Sequence, residues 1–162
     1  MKYSLGDLMN IDKDRQQKAA QCSVVLSEIY HELKPRTLGD RFKSLFGGKN
    51  IINSYYVIFK FIVTSDTGSA HTVYIRTSPD FNLNNWDNNK CEVFCDCKDF
   101  MYRAAYILGQ GNSLFLNDKT KILLGPAITT APKKMGTTLL CKHSYAAVQY
   151  LINNYYNIMK TI

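Results

Sequence analysis

Cys95-Asp96-Cys97 and Cys141-Lys142-His143 put two pairs of soft donors in one chain, each pair with a single residue between its members. Thiolate sulfur and imidazole nitrogen are the ligands tetrahedral zinc prefers, and four protein ligands close such a site to substrate. One spacer residue lets both donors of a pair reach one ion where the backbone turns. An ion shared by two distant pairs would clamp remote parts of the chain together. The residues are therefore read as a structural zinc site with ligands Cys95, Cys97, Cys141 and His143. The competing account is that cysteine is a small buried hydrophobe. That account is adopted for Cys22, on the apolar side of a helical pattern, and for Cys91, which opens a strand-like run. His31 and His71 lack partners at ligand spacing and are read as surface or helix-end histidines.

Catalytic constellations are scarce. The chain has no P-loop, no G-x-S-x-G elbow and no H-E-x-x-H. Asp96 and Asp99 are near the ligand pairs, but a closed four-ligand site leaves no position for an activated water. A deaminase-type centre needs a glutamate beside a histidine ligand, and His143 has none. A disulfide between Cys95 and Cys97, across one residue, would be strained. The expectation is a protein without catalytic residues.

The segments Cys95-Asp96-Cys97-Lys98-Asp99-Phe100 and Cys141-Lys142-His143-Ser144-Tyr145-Ala146-Ala147 resemble the SWIM-type zinc finger: C-x-C, a spacer, then C-x-H leading into a small-residue helix. The stretch from Lys98 to Leu140 is longer than the usual SWIM spacer. With Phe100, Tyr102 and Arg103, the C-x-C-x-D-F-x-Y-R form is also similar to zinc-finger-like proteins of tailed phages and other large DNA viruses. The resemblance covers the last seventy or so residues. It implies a zinc-binding module, and SWIM-like modules serve both nucleic-acid and protein binding.

A length of 162 residues and an apolar fraction of 46% fit one globular domain, with or without a helical extension. No apolar run is long enough to cross a bilayer, and the polar start Met1-Lys2-Tyr3-Ser4 does not read as a signal peptide. Reduced thiols then imply synthesis in a cytoplasm. The formal charge of +7 is unevenly spread. Residues 1–33 sum to −1 and 50–97 to −2, whereas 34–49 sum to +4 and 98–142 to +5. Arg36, Arg41 and Lys43 in the first basic region, and Lys119, Lys121, Lys133 and Lys134 in the second, are candidates for contact with a partner or with phosphates. No recognition helix or RNP-type aromatic motif favours nucleic acid over an acidic protein surface.

Several elements must position these residues. Ala19, Cys22, Leu26, Ile29, Tyr30 and Leu33 recur in three-, four- and seven-residue steps, which predicts a helix from Asp12 to about Leu33. Thr37 to Phe46 reads as a short basic amphipathic segment, too short to anchor a membrane and better suited to docking on protein. Tyr55–Val63 and His71–Arg76, joined by a turn at Ser65–Ser69, predict an antiparallel hairpin, and Glu92–Phe94 a third short strand. Trp86 is read as an anchor for the asparagine-rich loop around it. Asp99–Leu108 is expected to be helical and capped by Gly109, followed by a long loop with a strand at Ile122–Leu124. An amphipathic helix from Ser144 to about Met159 closes the chain.

The fold class expected is α+β: a small antiparallel sheet of a hairpin and a third strand, packed on helices, with a zinc-stapled C-terminal module and an N-terminal helix. Residues 1–49 are assigned to an N-terminal helical segment with a basic connector, and 50–162 to a core that includes the zinc-finger-like module 91–160. From the phage-like motif follows the expectation of a virion component near the portal, neck or head–tail junction. Its partners would be other virion proteins, in a homo-oligomeric ring with possible non-specific DNA contact and no membrane. The alternative is a cytoplasmic SWIM-like module that binds nucleic acid through its basic loops.

Overall fold

The hairpin forms where aromatic and β-branched residues crowd the chain. The computed structural model of the protein describes residues 3–33, 55–133 and 138–162. The expected boundary at residue 49, the basic segment Thr37–Phe46, and Arg36, Arg41, Lys43 and Lys134 lie outside the described residues.

In chain order the elements are α1 (Leu5–Met9), α2 (Lys13–Ala20), β1 (Ser23–Leu33), β2 (Tyr55–Thr64), β3 (Ala70–Thr77), a 3₁₀ segment (Leu83–Asn88) and β4 (Cys91–Cys95). A π-turn at Phe100–Ala104 runs into α3 (Ala105–Gln110). α4 (Asp118–Leu124) and a 3₁₀ turn (Gly125–Ile128) follow, and α5 (Lys142–Met159) ends the chain. The four strands form one antiparallel sheet in the order β1-β2-β3-β4. The class is α+β, with the expected hairpin and third strand and one strand more.

That extra strand corrects the N-terminal reading. The helix capped by Asp12 stops at Ala20, and Ser23–Leu33 is an edge strand paired with β2. A bulge at Ser27 explains the misleading pattern, because Leu26 pairs with Phe61 and Glu28 already with Lys60. One inserted residue reverses the alternation of faces. Leu26 and Ile29, three apart, therefore both face the core side of the sheet, as two residues on a helix would.

One sheet face carries Phe59, Phe61, Val63, Val73, Ile75 and Val93, all fully buried. α5 lies over it with Ala147, Leu151 and Ile158 turned inward. Tyr150 meets Phe61 edge-on at 5.9 Å and Tyr155 meets Phe59 at 6.3 Å. α2 packs against α5 through Ala19, which is also buried. On the opposite face Phe100 meets Phe94 and Phe115 stacks on Tyr74, and beside it Leu114 bridges to Val93. Every turn of aliphatic or aromatic surface removed from water here contributes roughly 1.5–3 kcal/mol per fully buried side chain.

The long insertion is more ordered than its Gly and Pro content implies. Ile122–Leu124 is not a strand but the last turn of α4. Asn117 accepts from the Thr120 amide at 2.8 Å and Thr120 Oγ1 accepts from the Asn117 amide at 2.8 Å, a reciprocal cap. Gly125, at φ +49°, ends the helix in a conformation that disfavours a side chain. The preceding helix also runs through Gly109 and ends at Gly111. Trp86 is partly buried against the core, as expected for an anchor. Asn89 holds its loop, donating to the Asn82 carbonyl at 2.6 Å.

Candidate metal centre

β4 ends at Cys95, the chain turns through Asp96, and Cys97 opens the turn into the π-segment. Cys95 pairs with Val73, which fixes its side chain on the face covered by α5. α5 begins at Cys141, which is its N-cap. The donor atoms of Cys95, Cys97, Cys141 and His143 all lie within 4.8 Å of one another. Around a tetrahedral ion with bonds of about 2.0–2.3 Å, donors stand roughly 3.5–3.8 Å apart, so the cluster has the dimensions of one metal shell. All four residues are buried, none more than 5% exposed.

The surroundings fit a metal. Neither Nδ1 nor Nε2 of the buried His143 makes a hydrogen bond. An imidazole held out of water without a partner is costly, and coordination to a cation satisfies one of those nitrogens. Two backbone amides point at sulfur: Phe100 N–H donates to Cys97 Sγ and Ser144 N–H to Cys141 Sγ, each at 3.4 Å. Donors of that kind favour thiolate over thiol, and Cys141 has the start of a helix behind it as well. All five cysteines are free.

The thiols influence one another strongly. Burial pushes the Cys95 thiol well up, and the adjoining Cys141 and Cys97 add to the rise. Cys97 is also pushed up, first by Cys141 and further by its own burial. For Cys141, burial works in the upward direction but loses to hydrogen bonding from Cys95 and Cys97, with Ser144 adding to the effect. Cys141 is thus held well below the ordinary thiol range. Three buried sulfurs packed together oppose one another's ionisation, whereas a divalent ion would stabilise all three as thiolates.

A cleft of about 620 Å³ opens beside the cluster, with Arg15, Lys18, Lys98 and Lys142 on its walls. Asp14 and Asp99 line the cleft as well, and three of the four cations are already paired with carboxylates. Arg15 pairs with Asp12, Lys18 with Asp14, and Lys142 reaches Asp66 at 3.5 Å. Lys98 has no ion-pair partner among the described residues.

His71 belongs to this centre, contrary to its reading as a surface or helix-end residue. It sits on β3, half-buried, with its ring centroid 4.3 Å from that of His143. Its Nδ1 is 3.0 Å from Oδ1 of Asp96, the residue between the first two ligands. Strand alternation was the available signal: His71 lies two residues before Val73 and so shares its face. His31 is exposed on β1, edge-on to Tyr55, in a strand and not at a helix end. Cys91 is fully buried and Cys22 half-buried against the core, as read.

The basic candidates are separate from the metal cluster. Lys119 and Lys121 are exposed on α4 and Lys133 is exposed beyond it. No ion-pair partner meets any of the three among the described residues. Among those residues, no helix is long and apolar enough to cross a membrane. The chain matches no known family model, no curated protein and no solved structure.

Proposed function

We propose that the protein is a non-enzymatic assembly subunit whose fold is fixed by a structural zinc ion. The observation that carries this reading is the closure of the donor set. Four buried donors join the end of β4, the turn after it and the first turn of α5. Three sulfurs and one imidazole are the composition zinc takes in structural sites, where no position is left for water or substrate. What the ion supplies is cross-linking: it ties helix to sheet where the packing residues of Ser144 to Val148 begin.

The setting we propose is a virion of the tailed-phage type, near the portal, neck or head–tail junction. The support for this setting is the resemblance of Cys95-Asp96-Cys97-Lys98-Asp99-Phe100-Met101-Tyr102-Arg103 to that group of proteins. Within that motif Arg103 spans three segments. It donates to Asp99 Oδ2 at 2.7 Å and to the carbonyls of Thr138 and Leu140 at 3.2 and 3.3 Å. The motif therefore braces the chain that delivers Cys141. A rigid, small subunit with uncompensated surface lysines suits packing among neighbours.

The test is composition of assembled particles. The proposal expects the protein in purified particles at a fixed copy number. Its absence from particles, together with DNA binding by the purified protein that persists at physiological salt, would favour the nucleic-acid reading instead.

A further inference from the structure

The face formed by α4 and the π-turn holds apolar surface that the core does not use. Ile122 is 81% exposed, Tyr102 72% and Leu123 47%. With Met101, Pro126 and Pro132 they line a groove of about 700 Å³. Ile122 and Leu123 are three and four residues beyond Lys119, so that lysine shares their side of the helix. Lys133 lines the groove directly. The one carboxylate on α4, Asp118, leaves this rim with a positive excess.

We infer that this groove is a docking site for an acidic amphipathic segment of a partner protein. The inference rests on the assembly reading and names the surface and the chemistry of the neighbour. Exposed aliphatic and aromatic residues grouped beside a polar rim mark an interaction surface. The occupant must bring apolar side chains to cover Ile122, Leu123 and Tyr102, and carboxylates to meet Lys119 and Lys133. A helix with apolar residues three and four apart and acids on its flanks does both. A second copy of this face would set the same lysines against one another in an isologous contact, in a chain whose formal charge is already +7. Nucleic acid would satisfy the lysines and leave Ile122 and Leu123 uncovered. Among the described residues Tyr102 is the one aromatic ring lining the groove, and it offers a base a single stacking platform.

A display selection of random 16-residue peptides on the zinc-loaded full chain, counter-selected on the Ile122→Asp variant, tests this. Enriched peptides should carry net negative charge with apolar residues at helical spacing. A synthetic peptide from that pool should bind at least about tenfold more weakly to Ile122→Asp and to Lys119→Glu/Lys133→Glu, and lose affinity with salt. Unchanged zinc content in each variant shows that it is folded, and the double lysine variant serves if Ile122→Asp is not. An empty selection, or neutral or basic winners, would overturn the inference. So would displacement of the peptide by oligo(dT), or self-association of the chain abolished by Ile122→Asp. Copy number in particles is read separately, so an unoccupied groove and a non-virion protein give different results.

Discussion

His71 and His143 lie ring against ring, centroids 4.3 Å apart and planes tilted by 39°, and Asp96 holds His71 there through its Nδ1. One comes from the second strand of the hairpin and the other from the first turn of the last helix. His71 thus covers the one imidazole of the candidate donor set from the cleft side, without joining the four donors.

Replacing His71 with Ala should leave the ion bound but shorten its residence. Partners outside the ligand shell are typically worth 10- to 100-fold in metal affinity when they orient a ligand. His71 shields instead of hydrogen-bonding, so the low end of that range is expected. Asp96→Asn should reproduce part of the effect. Chelator-driven release, followed with a colorimetric zinc indicator, measures both.

Zinc binding should release protons near neutral pH, since the ligands must be deprotonated. Cys95 is held up by burial and Cys97 by Cys141, which keeps protons on these two thiols before the ion arrives, whereas Cys141 is depressed. The sign follows: affinity rises with pH and falls as acid returns protons to the sulfurs. Calorimetric titrations in buffers of different ionisation enthalpy give the proton count. Release of no protons would mean that the thiols were already ionised.

Leu151→Ala should cost about 2–5 kcal/mol of folding stability while zinc still binds stoichiometrically. Leu151 is fully buried between α5 and the sheet and lies beyond the ligand turn. Denaturant unfolding of the zinc-loaded protein checks the first part and elemental analysis the second. Loss of metal in this variant would mean that packing, and not the ligands, shapes the site.

Replacing Lys119, Lys121, Lys133 and Lys134 together with Gln should leave folding and zinc content intact. Lys119, Lys121 and Lys133 are exposed, and surface charges away from packed features change stability by about 0.5 kcal/mol or less. Partner binding should be lost. Unfolding of the variant would place these lysines in the scaffold.

Much of this arrangement was legible in the sequence because local pattern and long-range packing agree there. Tyr55–Val63 and His71–Arg76 alternate around a turn that the structure retains, and the C-x-C and C-x-H pairs meet as spaced. The strand at Ser23–Leu33 was hidden by its bulge at Ser27, which turns a two-residue period into helical-looking steps. Val24 and Val25, β-branched neighbours, were the contrary signal. α4 was hidden because its apolar end, Ile122–Leu124, reads as β when its Asn117–Thr120 cap is overlooked. The face of His71 was legible from alternation with Val73, but its meeting with His143 depends on how α5 lies over the sheet, which no local pattern contains.

The most direct test of the account is elemental analysis of reduced, untagged protein, alone and as Cys141→Ser. Wild-type chain should carry about one zinc, and the Ser variant should lose it together with much of its stability, because metal binding here is folding free energy. Cys22→Ser should retain the ion, since Cys22 lies outside the donor set. Wild-type protein without metal, or a Cys141→Ser variant that keeps its full complement, would contradict the staple.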